Sequence, residues 1–223
     1  MKRTKLALRK LPDYSAGEEI MNMTTHIVGG AVGIIALILC VLKAAFHGGA
    51  MDVFGAAVYG ISIIALYTMS SVYHGLRPGM AKKVLQVIDH CTIYFLIAGS
   101  YTPVLLSAML PVYPKIALGL LAVQWILASL AAVFTAIDLH QYRIFSMICY
   151  IGMGWGIVFF LPQTLEVVTL PGFILLLAGG IAYTIGAVLY GIGAKRKWMH
   201  SIFHIFVVLG TVLQFLCIIL YVL

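Results

Sequence analysis

Apolar residues gather in seven long blocks along this chain, at about residues 25–45, 52–74, 84–109, 114–137, 144–165, 169–194 and 199–222, with short polar or basic stretches between them. A helix needs about 20 mostly apolar residues to cross the hydrocarbon core of a bilayer, and every block is long enough. The pattern predicts an all-α integral membrane protein, a bundle of seven transmembrane helices. The joining stretches are too short to fold alone. Ahead of the first block, Pro12 to Met23 mixes Glu18, Glu19 and Asn22 with Ile20, Met21 and Met23, as a short interfacial helix would. The expected organisation is a cytosolic and interfacial segment over residues 1–23 and a single transmembrane domain over 24–223. The basic start MKRTKLALRK is not followed by the short apolar core and cleavage site of a secretory signal.

Composition agrees with the blocks. Of the 223 residues, 63% are apolar and 9% charged, and the mean hydropathy is +1.08. So few charges cannot cover a water-facing surface, which excludes a soluble domain, a disordered chain and a coiled coil. Cys40, Cys91, Cys149 and Cys217 are scattered through apolar stretches without a CxxC pair, and read as small, reduced core residues rather than a disulfide framework. The net charge of +7, from 14 Lys and Arg against 7 Asp and Glu, sits in clusters between the blocks. That is a topology signal, not a nucleic-acid surface. With seven crossings, twelve basic residues fall on one side: Lys2, Arg3, Lys5, Arg9, Lys10, Arg77, Lys82, Lys83, Arg143, Lys195, Arg196 and Lys197. Only Lys43 and Lys115 fall on the other. A cytosolic excess of basic residues then puts the N-terminus inside and the C-terminus outside. The GxxxG spacings of Gly29–Gly33 and Gly152–Gly156 predict close helix packing.

Ionisable groups are costly inside a membrane, so those within the blocks carry the most information. His74 ends the second block, Asp89 and His90 open the third, and His200 and His204 open the seventh. At 1.5 Å per residue, all lie within roughly 10 Å of the cytosolic boundary. His200 and His204, four apart, share one helix face in a metal-chelating geometry. His74 adds a third imidazole. Three protein ligands leave a fourth tetrahedral position for water, the pattern of a catalytic zinc site. Ser70 lies one turn before His74, and Asp89 offers a carboxylate at the same depth. By spacing alone, a metal centre and a polar network tying helices together stand level. His26 reads as a neighbouring or packing group, and His90 as facing another helix or the interface. His47 and His140 read as solvated loop residues, and Tyr73, Tyr94, Tyr101 and Trp198 as interfacial or packing aromatics.

Four stretches carry a family likeness: GEEIMNMTTH (17–26), LYTMSSVYH (66–74), IDHCTIYFLIAGSYTP (88–103) and MHSIFH (199–204). In them the chain resembles the bacterial hemolysin III proteins, which stand with the progestin and adipoQ receptors and the alkaline ceramidases in a wider superfamily. The likeness covers nearly the whole chain. It implies zinc held by His74, His200 and His204, with Asp89 and Ser70 as catalytic residues beside it. It implies a bacterial cytoplasmic-membrane protein that hydrolyses a lipid amide or ester and serves membrane-lipid homeostasis. The partner would be a membrane lipid or fatty acid in an intramembrane cavity. Asp89 would orient a water and take its proton, and Ser70 would steady the developing oxyanion. Two alternatives remain: a non-enzymatic sensor or regulator with a structural zinc, and the cytolytic activity that the family name suggests. A transporter is disfavoured, because no charge lies near the midplane of a block and no broken repeat pair is visible. An open site beside a tail-shaped cavity favours the enzyme; a closed site without one favours the sensor.

Overall fold

A computed structural model describes residues 4–193 and 196–223 of the chain. Of the basic residues assigned to one side of the membrane, Lys2, Arg3 and Lys195 lie outside the described residues. Among those described, the long elements are all helices: α1 (Ala16–His47), α2 (Ala50–Gly75), α3 (Met80–Pro103), α4 (Pro114–Ile137), α5 (Arg143–Trp155), α6 (Leu161–Gly193) and α7 (Met199–Cys217). A π-helical stretch, Val104–Met109, extends α3 beyond Pro103, whose ring removes a backbone donor.

Six helical runs are long and apolar enough to cross a membrane, which makes the chain a multi-pass integral membrane protein. The fifth and sixth apolar blocks of the sequence fall in one such run, Arg143–Gly193, of 51 residues. Inside it the backbone leaves helical geometry at Thr169 (φ 63°, ψ 164°), two residues before Pro171. A β-branched residue at positive φ is strained, and here it turns the chain. Trp155 Nε1 donates to Thr184 Oγ1 at 3.1 Å across that point, so the two halves of the run lie side by side.

The predicted interfacial helix is not a separate element. α1 begins at a capping box, in which Ser15 Oγ accepts from Glu18 N and Glu18 Oε2 accepts from Ser15 N. It then runs 32 residues without a break. Its buried face reads Glu18, Asn22, His26, Gly29, Gly33, Ala36, Cys40, Ala44, a stripe at helical spacing. Large apolar residues such as Ile34, Ile38 and Leu42 turn outward and are about half exposed. The helix is thus polar and then small on the inside, with its bulky hydrophobic side chains facing lipid. Small residues allow close crossing: a Cβ at Gly33 would sit 2.7 Å from Ile63 Cγ2 of α2, and one at Gly210 of α7 would sit 2.8 Å from the Tyr183 ring of α6. The second GxxxG pair acts this way at one position only: a Cβ at Gly156 would sit 3.2 Å from the Gln124 side chain of α4, and one at Gly152 would meet open space. All four cysteines are free.

Each of α1 to α4 packs on the next, and α7 packs on both α6 and α1. The start of α1, the end of α2, the start of α3, the end of α6 and the start of α7 therefore gather at one end of the bundle. Glu18 joins two of them by accepting Trp198 N at 2.7 Å, where Trp198 (φ 66°) turns the chain into α7. The N-terminal segment lies over the same end. Thr4 N donates to Asp138 Oδ2, and Arg9 Nη2 donates to Ile137 O. Burial pushes the Asp138 carboxyl up. Hydrogen bonds from the N–H groups of Thr4 and Gln141, the charge of Arg9 and the His140 N–H outweigh it, and hold the group below the usual carboxylate range.

Candidate metal centre

His74 reaches the centre from the last turn of α2, and His200 and His204 reach it from the first two turns of α7. All three are buried, and one ligating nitrogen from each lies within 4.8 Å of the others. This group of histidines can hold a metal ion. The hydrogen bonds decide which nitrogens face inward. His74 Nδ1 lies 2.6 Å from Glu19 Oε2, and a carboxylate can only accept, so Nδ1 carries the proton. His74 Nε2 then keeps its lone pair, and it is buried without a protein partner. His204 Nδ1 donates to Asn22 O at 3.2 Å, which leaves its Nε2 unprotonated 3.0 Å from His200 Nε2. A buried nitrogen without a partner is expensive. Inward lone pairs, with the outer nitrogens tied to a carboxylate and a carbonyl, are what a histidine-held metal requires. The residues present therefore fit the ion that the sequence suggests.

Charged and aromatic groups enclose the cluster. Lys82 is buried, and its Nζ donates to Glu19 Oε1 at 2.6 Å and Leu76 O at 2.9 Å. His26 stacks on His204 with ring centroids 3.7 Å apart, and neither of its ring nitrogens has a protein partner. Tyr14 stacks on His200 at 4.9 Å.

Beside the histidines lies a cavity of about 130 Å³. Ser70, Asp89, His26, His200 and His204 line it, and Leu66, Ile93, Leu96 and Val207 make its wall apolar. The two predicted catalytic residues, Ser70 and Asp89, thus meet at one cavity wall. His90 also lines the cavity and faces α6: its Nδ1 donates to Gln86 O and its Nε2 accepts from Tyr190 Oη at 3.1 Å. A smaller cavity of about 50 Å³ shares Ser100, Tyr101, Gly154, Trp155, Gly180 and Gln214 with the first and reaches Val104, Phe173 and Leu176. A Cβ at Gly154 or Gly180 would meet nothing within 4 Å.

Every candidate site residue named from the sequence lies at this one end, and the structure adds four more. Lys82 reads in the sequence as one more basic residue of a loop, yet it is buried against Glu19. Glu19 and Asn22 read as interfacial, yet they hold His74 and His204. Tyr14 carries no signal of its own. The pair Glu18–Glu19 is a usable clue, because the chain has only seven acidic residues and two of them open an apolar block. Tyr73, Tyr94 and Tyr101 are buried packing residues, and Trp198 is 45% exposed.

Comparison with known proteins extends the picture. The sequence profile of the family described as Haemolysin-III related matches residues 14–215. Hemolysin-3 of Bacillus cereus is 38% identical over 206 residues, 92% of this chain and 92% of its own length. The Hemolysin-3 homolog of Bacillus subtilis (strain 168) is 34% identical over 208 residues, 93% of this chain and 96% of its own. The human monocyte to macrophage differentiation factor is 25% identical over 168 residues, 72% of this chain and 67% of its own.

Proposed function

The chain belongs to the haemolysin-III-related family, and on that premise we propose that it is a seven-crossing zinc-dependent hydrolase of a membrane-lipid amide or ester. One observation carries this reading: ligating nitrogens of His74, His200 and His204 converge within 4.8 Å beside a largely apolar cavity that also presents Asp89 and Ser70. A site meant only to pin helices needs no such space next to it.

The seventh crossing rests on length. The run Arg143–Gly193 has 51 residues, about 75 Å of helix at 1.5 Å per residue, which is more than twice the roughly 30 Å of hydrocarbon. Doubled back at Thr169, it makes two crossings. Orientation rests on charge. Lys5, Arg9, Lys10, Arg77, Lys82, Lys83, Arg143, Arg196 and Lys197 all lie toward the end that holds the histidines, against Lys43 and Lys115 at the other. By the positive-inside rule that end is cytosolic. A reporter that works only outside the cytosol, fused after Leu223, is expected to be active. Activity of a cytosol-only reporter at that point would exclude seven crossings.

Zinc bound by three neutral imidazoles supplies a Lewis acid and an acidified water. The chain's own residues supply the rest. Asp89, at the cavity wall, takes up the proton that the attacking water gives away, and passes it to the leaving group. The Ser70 hydroxyl, on the same wall, can donate to the developing oxyanion. The joined cavities receive the lipid tail, which holds the scissile bond at the polar end and keeps bulk water out. The test is to incubate the purified chain with bacterial lipid extract and to follow lipid composition by mass spectrometry. Growth of a free fatty acid with loss of one lipid class, abolished by a zinc chelator and restored by zinc, is the expected result. An unchanged lipid profile with zinc bound would leave the metal a structural role.

A further inference from the structure

Three helix ends meet around His74, and a partly buried ion pair joins them. Glu19 of α1 takes His74 Nδ1–H on one carboxylate oxygen at 2.6 Å and Lys82 Nζ on the other at 2.6 Å. Lys82, on α3, is 3% exposed and also donates to Leu76 O at 2.9 Å and to His74 O at 3.4 Å. Both carbonyls belong to the end of α2, where carbonyls lack helical partners and the helix dipole is negative. The ammonium also lies 5.2 Å from the centroid of the Tyr73 ring. Few lysines in a bilayer protein are buried at all. This one directs its ammonium to three protein acceptors.

We propose that Glu19 and Lys82 act as a coupled positioning pair that sets the affinity and geometry of the metal centre. The inference rests on the reading of His74, His200 and His204 as ligands. Glu19 fixes the tautomer and tilt of His74, so that Nε2 points at the two rings of α7. Lys82 holds Glu19 in place and offsets its charge, so the carboxylate can sit beside the buried His74 ring without a large penalty. Neither residue touches the ion. Their effect runs through one ring of one ligand, and it requires α1, α2 and α3 to close around that ring.

A double variant separates this role from simple charge balance. Replacing both members of a largely buried ion pair with neutral groups of similar size is often neutral for folding, so the metal-free Glu19→Gln, Lys82→Met chain is expected to melt close to the native one. Its zinc dissociation constant, measured by chelator competition on the purified full-length chain, is expected to rise about 10- to 100-fold, the usual cost of losing a group that orients a ligand. The visible absorption of the cobalt(II)-loaded chain is expected to shift as well. Native affinity and an unshifted cobalt spectrum in the double variant would overturn the proposal. If the double variant does not fold, Glu19→Asp serves. It keeps the charge and the pair with Lys82 but pulls the carboxylate back by one methylene, so weaker zinc binding and a shifted cobalt band support the proposal, and unchanged values refute it. A native chain that binds neither zinc nor cobalt would refute the ligand reading itself, and this inference with it; native binding with indifferent variants refutes this inference alone.

Discussion

Changing His204 to alanine is expected to strip most of the zinc from the purified chain and to lower its melting temperature. His204 is 2% exposed, and its Nε2 lies 3.0 Å from His200 Nε2. A ligand that binds only the folded state stabilises it by about 2.7 kcal/mol at one hundred times its dissociation constant. For a chain of this size that corresponds to roughly 5–10 °C. A metal on these ligands would join α2 to α7, elements far apart in sequence that the Tyr67–Thr211 hydrogen bond also links, so losing it should release one of the ties between them. The variant also leaves a hole against His26, whose ring stacks on His204 at 3.7 Å, and that loss does not depend on metal. A chelator separates the two effects. It should lower the melting temperature of the native chain and leave that of the variant unmoved. Zinc content equal to the native chain's would remove His204 from the ligand set.

Asp89→Asn is expected to do the opposite: zinc retained, lipid turnover reduced by about 10²-fold or more. Removing a general acid–base group costs about 10²–10⁴ in rate. The amide has the size of the carboxyl and keeps an acceptor oxygen, so the cavity wall should keep its shape. It cannot take a proton. Zinc content is the control. If zinc falls as far as it does in His204→Ala, Asp89 is a ligand rather than a base. If zinc and turnover both survive, Asp89 only packs. Measuring both on one preparation, with the lipid profile as readout, distinguishes the three roles without knowing the substrate in advance.

The sequence by itself determined the class of the fold, most helix ends to within a few residues, with the start of α1 and the break between α5 and α6 as exceptions, and the end of the bundle at which the ionisable groups gather. The reason is the solvent. A bilayer admits few backbone arrangements, so long apolar blocks become helices. An alternating path brings His74, Asp89, His200 and His204 to one end whatever the packing. The i, i+4 spacing of His200 and His204 is likewise local, and a helix delivers it unaided. Other features were legible only in three dimensions. α1 and the predicted interfacial helix are one element because the capping box at Ser15 starts a helix that nothing interrupts, while hydropathy marks only its membrane-buried part. The Gly152–Gly156 pair has the same spacing as Gly29–Gly33, but both glycines of the latter face a close helix crossing, whereas Gly152 faces open space. Spacing reports a helix face and not what lies opposite it. Tertiary structure alone decided the partners: Glu19 on His74, Lys82 on Glu19, Asn22 on His204, His26 on His204, and Ser70 beside Asp89. Each pair joins different helices, or, for Asn22, a helix backbone to a distant ring. The rotation of each helix about its axis sets these contacts, and that rotation depends on the packing of small residues such as Gly33 and Gly210 rather than on any signal local to the polar residue.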